Sequence, residues 1–174
     1  MKTGMVILNY NDYENTIKMI LQVRDYKNIN KIVVVDNHST DSSVEKITPY
    51  LNKHVVLVEA RKNGGYAFGN NLGLKYLEKN TDCELVIISN PDVLVSESVI
   101  TELIHDMKKD ESISFLGPKI LERGHITKGW KLPNLWCEAL SCINYFNRYS
   151  FNMQKYPDDY YNEKIVRVEV LHGC

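Results

Sequence analysis

The residues best equipped for chemistry stand in short polar stretches, each directly after an apolar run. Ser89-Asn90-Pro91-Asp92 follows the run LVII. Proline gives no N–H to a ladder and ends a strand, so the next carboxylate, Asp92, projects from the strand end. A hard divalent cation takes oxygen ligands, and magnesium often takes only one or two of them from protein and the rest from phosphate and water. Asp92 suits that task, with Asn90 as a neutral second oxygen. Asn-Pro-Asp is also ordinary turn chemistry, so a plain turn stays open.

VVVDNHSTDSS, residues 33–43, is a second stretch. Asp36 ends an apolar run, where a carboxylate can accept from a base N–H or a ribose hydroxyl. It can equally cap the turn that follows. Asp41 reads as a helix N-cap. A third stretch, NGGYAFGNNLG, spans residues 63–73. Glycine lets backbone approach a ligand, and a helix starting near Ala67 would turn N–H donors toward an anion. There is no Gly-Lys-Ser/Thr and no GxG, so neither a P-loop nor a dinucleotide fingerprint is present. Gly69 and Gly73, at i and i+4, could instead let the helix pack closely.

The elements that must carry these stretches alternate in type. Strands are expected at Met5–Leu8, Lys31–Asp36, Val55–Val58 and Leu85–Ile88, and a fifth at Ile113–Leu116. Helical spacing appears on Ile17, Ile20 and Leu21; on Val44, Ile47 and Leu51; over about Ala67–Leu77; and on Val99, Ile100, Leu103, Ile104 and Met107, with Ser96 as cap. This repetition predicts an α/β fold, a three-layer α/β/α sandwich with a mostly parallel central sheet. In such sheets ligands bind beyond the carboxyl ends of the strands. Asn9, Tyr10, Asp36, Asn37, Asn63, Asn90 and Asp92 all fall at those ends. After Gly117 the regularity fades. Lys119–Leu121 and Ile165–Leu171 read as strands, with an irregular aromatic stretch between them.

Composition narrows the function. The chain has 174 residues and a formal net charge of −1, so no basic field invites nucleic acid or an anionic membrane. Four cysteines, at 83, 137, 142 and 174, form no CxxC pair, which speaks against zinc and for reduced thiols. The apolar run near Met1 is too short for a signal peptide or a membrane span. A cytoplasmic protein is expected, with any membrane contact peripheral at the inner face.

Taken together, VILNYND (6–12), VVVDNHSTDSS (33–43), NGGYAFGNNLG (63–73) and ISNPDV (88–93) resemble, in order and spacing, the family 2 glycosyltransferases of the GT-A fold. The resemblance is to the rhamnosyltransferase-like branch and covers about residues 4–120. It implies a nucleotide-sugar-binding part over 1–120 and the incomplete start of an acceptor-side part over 121–174, within a single domain. It implies that Asn9 and Tyr10 lie against the nucleobase, that Asp36 contacts base or ribose, and that Asn63, Gly65 and Asn71 line the pocket. Asp92, with Asn90 beside it, would hold Mg2+ or Mn2+ on the diphosphate. Asn90 stands where many relatives have the first aspartate of the motif, which removes one charge.

The implied reaction is an inverting displacement from a dTDP- or UDP-sugar onto a saccharide hydroxyl, in surface polysaccharide synthesis. The family's base lies in an acidic pair after a strand that Val168–Cys174 resembles. The chain stops there, so no catalytic base is named and a C-terminally truncated enzyme is expected. A nucleotide-sugar-binding module without catalysis, or an unrelated Rossmann-like nucleotide binder, are the competing readings. The tyrosines of 145–161 could form a sugar platform, a partner surface for a homo-oligomer, or core. The histidines read as surface or turn residues.

Overall fold

A computed structural model describes residues 1–122, 124–127, 129–132 and 156–171. The chain divides into two compact units, Met1–Lys109 and a second that begins at Asp110.

In the first unit, β1 (Lys2–Asn9), β2 (Lys31–Asp36), β3 (Val55–Glu59) and β4 (Cys83–Ser89) form one sheet in the order β3-β2-β1-β4, every pairing parallel. The helices between and after them are α1 (Tyr13–Val23), α2 (Ser43–Ile47), α3 (Tyr66–Asn80) and α4 (Glu97–Lys109). β1 and β2 are central, and almost every residue in them is buried, as continuous apolar runs require. Successive side chains alternate between two cores. Met5, Ile7, Ile32 and Val34 meet Met19, Ile20 and Val23 of α1, Ile47 of α2, and Ile100 and Ile104 of α4. Val6, Leu8, Val33 and Val35 meet Leu77 of α3. The result is the expected α/β/α layering around a parallel sheet.

α1 shows why the sequence folds locally. Thr16, Met19, Ile20 and Val23 fall on its buried stripe, and a side chain such as Ile20 contributes about 1.5–3 kcal/mol by leaving water. α2 is shorter than its apolar spacing suggests. It ends at Ile47, and the 3-10 turn Thr48–Tyr50 carries Pro49. Proline's missing N–H and its ring cannot continue an α-helix, so Leu51 lies beyond the helix in extended backbone.

α3 lies close on the sheet because its glycines allow it. A Cβ on Gly73 would sit 2.5 Å from Val6 Cγ1, and one on Gly69 would sit 2.3 Å from Leu8 Cδ1. Close packing, one of the two sequence readings for these glycines, is what they provide.

In the second unit, β5 (Ile120–Glu122) and β6 (His125–Thr127) form an antiparallel hairpin. Two expected strands are absent. Ile113–Leu116 is irregular: Asp110 accepts from both the N–H and the hydroxyl of Ser112 to make a turn, and Phe115 is largely exposed. Ile165–Leu171 makes one isolated bridge, Val170 to Trp130. Side chains take the place of a ladder there. Tyr160 Oη donates to the Arg167 carbonyl, the Glu169 N–H donates to Tyr156 Oη at 3.2 Å, and the Glu169 carboxylate accepts the Leu132 N–H at 2.6 Å.

Tyr156, Tyr160 and Tyr161 form a ring cluster, the first two stacked at 4.4 Å, with the Lys131 ammonium 5.2 Å from the Tyr156 ring. Tyr161 Oη donates to the Gly129 carbonyl. These three hydroxyls are engaged inside the unit, with Tyr161 buried and Tyr160 exposed. Trp136, Tyr145, Phe146, Tyr149, Phe151, His172 and the cysteines at 137, 142 and 174 lie outside the described residues.

Candidate functional site

Strand order decides where a ligand can sit. The chain builds β1, β2 and β3 outward in one direction, then returns to place β4 on the other flank of β1. The strand order thus reverses between β1 and β4, and in open α/β sheets ligands bind beyond the carboxyl ends of the strands at such a reversal. Asn9 pairs in register with Asp36, and Ile7 with Ser89. Residues 9–12, 36–41 and 90–93 thus leave three adjacent strands at the same rim. Neighbouring strands are about 4.8 Å apart, which puts β2 and β4 about 10 Å apart across β1.

The first two loops are locked together. Asn9 is fully buried; its Nδ2 donates to Asp36 Oδ1 at 2.8 Å, and its Oδ1 accepts from Thr16 Oγ1 at 2.8 Å. Asp36 is 2% exposed and also accepts from the Ser39 hydroxyl at 2.6 Å and the Ser39 N–H at 2.9 Å. The Ser39 hydroxyl in turn accepts the Asn11 N–H at 2.9 Å, and Asn11 Oδ1 accepts the Thr40 N–H at 2.8 Å. Asn11 and His38 both have positive φ, 52° and 65°, an uncommon conformation outside glycine. His38 and Thr40 are exposed in this turn, as is Asn11 across from it. Asp41 accepts the Ser43 N–H at 2.9 Å, but it stands one residue before the N-cap of α2, which is Ser42 and not Asp41 as expected.

A second clasp joins the loop after β2 to the glycine loop. Asn37 Nδ2 donates to Asn63 Oδ1 at 3.0 Å and to the Gly65 carbonyl at 3.2 Å, and Asn63 Oδ1 also takes the Gly65 N–H at 3.0 Å. Gly65 has φ of 84°, a backbone setting that glycine adopts without a Cβ penalty. It swings the chain into the N-terminus of α3, whose first N–H groups have no intrahelical partner. Asn37 links these loops from a buried position, with its Oδ1 lacking any hydrogen-bond partner. The sequence places it on the rim, but a pairing across 26 residues leaves no local signal.

The remaining candidates differ in placement. Tyr10 is 46% exposed. Asp92 is exposed and has no hydrogen bond or ion pair with the described residues, in a turn closed by the Val93 N–H donating to the Asn90 carbonyl at 3.4 Å. Asn71 is not brought to the loop network. It is exposed on α3 and lines a surface cavity of about 400 Å³ with Leu74, Lys75, Glu78, Cys83 and Val86. Among the described residues no three His, Cys, Asp or Glu side chains gather where they could hold a metal. A cation at this rim would have Asp92 as its carboxylate and need its other oxygens from a ligand and water.

Residues 5–173 match the glycosyl transferase family 2 domain. The chain belongs to that family. It is 28% identical over 120 residues to a low-salt glycan biosynthesis hexosyltransferase of Haloferax volcanii, an alignment covering 69% of this chain and 37% of the relative. Its fold is similar to that of a Pyrobaculum calidifontis mannosyltransferase solved with GDP-Man and Mn2+, with a TM-score of 0.53 and 18% identity over 61% of this chain and 32% of that one. It is also similar to S. aureus TarS 1–349, with a TM-score of 0.54 and 16% identity over 78% of this chain and 42% of that one. The chain thus spans about a third to two fifths of the proteins it matches. Family membership makes it a glycosyltransferase domain of the GT-A kind. Among the described residues no helix is long and apolar enough to cross a membrane.

Proposed function

We propose that this family 2 chain forms the donor side of an inverting, metal-dependent glycosyltransferase that takes a nucleoside-diphosphate sugar at the carboxyl rim of its sheet. The observation that carries the reading is the strand order, which brings the loops after β2, β1 and β4 out at one rim of the sheet. β1 and β2 bring the locked Asn9–Asp36–Ser39 network to that rim, and β4 leads to Asp92, exposed and without a partner among the described residues. Tyr10 offers an exposed ring to the base. Asn63, Asn37 and Gly65 set the start of α3, where N–H groups favour phosphate.

Asp36 and Asn9 act mainly through one another, holding the two loops in shape; a ligand contact from Asp36 uses a lone pair that Ser39 leaves open. Asp92, with Asn90 as a neutral neighbour, fits Mg2+ or Mn2+ bound jointly with a diphosphate, since one protein carboxylate suffices when phosphate supplies the rest. Such a cation would neutralise the departing nucleoside diphosphate as a Lewis acid. The proton of the acceptor hydroxyl needs a base, and no described residue is assigned to that role. The nearest donors by resemblance are dTDP-rhamnose-type and UDP-sugars, with a saccharide acceptor in glycan synthesis at the inner face of the membrane.

Calorimetry with UDP, dTDP, GDP and NAD, each with and without Mn2+, tests the reading. Mn2+-dependent binding of one nucleoside diphosphate is expected, weakened at least about tenfold, or about 1.4 kcal/mol, in Asp92→Ala. Metal-independent preference for NAD would overturn it in favour of a Rossmann-like dinucleotide site.

A further inference from the structure

The loop that carries Asp92 is fastened shortly after its strand by residues far away along the chain. After Ser89 it turns at Asn90–Val93 and then runs without regular structure to α4. Leu94 is 88% exposed, so that stretch has little packing of its own. Val95 is different. Its side chain packs on the core shared by α1 and β1. Its carbonyl accepts two side-chain donors, Gln22 Nε2 at 2.9 Å and Tyr26 Oη at 2.9 Å. A carbonyl oxygen has two lone pairs, and both are used.

Gln22 fills this role at a cost, because its Oε1 is buried without a hydrogen-bond partner. Turning the amide over would satisfy nothing, since it would set one oxygen against another. One turn later the Lys27 N–H donates to Glu97 at 2.7 Å, which ties the start of α4 to the same end of α1.

We propose that Gln22 and Tyr26 are positioning residues for the Asp92 loop, setting its affinity for the catalytic cation without touching that cation. The inference rests on the reading of Asp92 given above. With Ser89 fixed by the sheet and Val95 fixed by two donors, the five residues between them have few conformations left. A loop already held near its binding shape loses less freedom when it takes a metal. Releasing Val95 makes the binding-competent loop a smaller fraction of the population, and apparent affinity falls by that fraction. Nothing in the sequence marks this pair, since Gln22 and Tyr26 lie 73 and 69 residues before Val95.

The test uses Tyr26→Phe, Gln22→Met and the double variant, with Mn2+ titrated in the presence of whichever of UDP, dTDP and GDP binds best. The expected result is a rise in half-saturating Mn2+ of about threefold for Tyr26→Phe and about tenfold for the double variant. Metal-free binding of the matching nucleoside should not change. Asn28→Ala, which removes the nearby bond from Asn28 to Thr101, is the control and should leave Mn2+ binding as it was. Unchanged Mn2+ half-saturation in Tyr26→Phe, or an equal loss in Asn28→Ala, would overturn the proposal. If the double variant fails to fold, Tyr26→Phe alone decides, since it deletes one hydroxyl. Failure of the Asp92 reading is distinguishable, because Asp92→Ala would then bind Mn2+ and nucleotide as the unmodified chain does.

Discussion

Asp36 answers to three donors from a nearly buried position: the Asn9 amide, the Ser39 hydroxyl and the Ser39 N–H. An amide at this position would turn one NH2 toward a donor and lose the charge that strengthens each bond. Asp36→Asn is therefore expected to lower stability by about 1–3 kcal/mol in urea denaturation, with Ser39→Ala closer to 1. Types and order in the sequence pick out Asn9 and Asp36 as rim residues. That they bind each other was not legible, because the partners are 27 residues apart and meet only through the register of β1 on β2. The same holds for Asn37. Asp92 was the easier case, since a proline after an apolar run announces an exposed carboxylate without help from other chain segments. Asn71 shows the opposite limit: it stands in the same motif as Asn63, yet helical rotation carries it to another face.

At the scale of elements, the glycines of α3 separate two effects that one motif contains. Gly73→Ala pushes a methyl into Val6, whose branched side chain has little freedom to yield. The expected loss is about 1–3 kcal/mol in melting experiments. Gly65→Ala meets no atom within 4 Å, and its penalty is the positive φ alone, about 1–2 kcal/mol. The two variants should part in function, with only Gly65→Ala moving the loop that Asn63 and Asn37 hold.

β1 and β4 begin beside an exposed ion pair, Lys2 to Asp82 at 2.7 Å. The hydrogen bond from Lys2, and then a bond within its own backbone, hold the Asp82 carboxyl below its usual range, while Asp82 holds Lys2 above its own. The contribution from Asp82 is present above its unfolded pKa and fades as pH falls through the lowered folded value. NMR titration should show the Asp82 pKa moving back up in Lys2→Ala. Strands buried on both faces were readable as apolar runs. Ile113–Leu116 and Ile165–Leu171 were misread because a short apolar run becomes a strand only where a partner backbone is free, and there Asp110, the tyrosines and Glu169 take the backbone groups instead.

For the molecule as a whole, the strand order matters more than any single motif. β-α-β alternation predicts parallel strands, but it does not say that β4 crosses back to the far side of β1. That crossing brings the loops after β2, β1 and β4 out at one rim of the sheet. The family match over most of the chain agrees with this architecture.

The most direct measurement is an amide NMR spectrum with Mn2+ and the tightest-binding nucleoside diphosphate, since a bound paramagnetic ion broadens only nearby signals. Broadening should centre on residues 90–93 and extend to 9–11, 36–40 and 63–66, while the cavity face of α3 around residues 74–78 stays sharp, and Asp92→Ala should abolish the pattern. Broadening centred on the α3 cavity, or a pattern that persists in Asp92→Ala, would contradict the account.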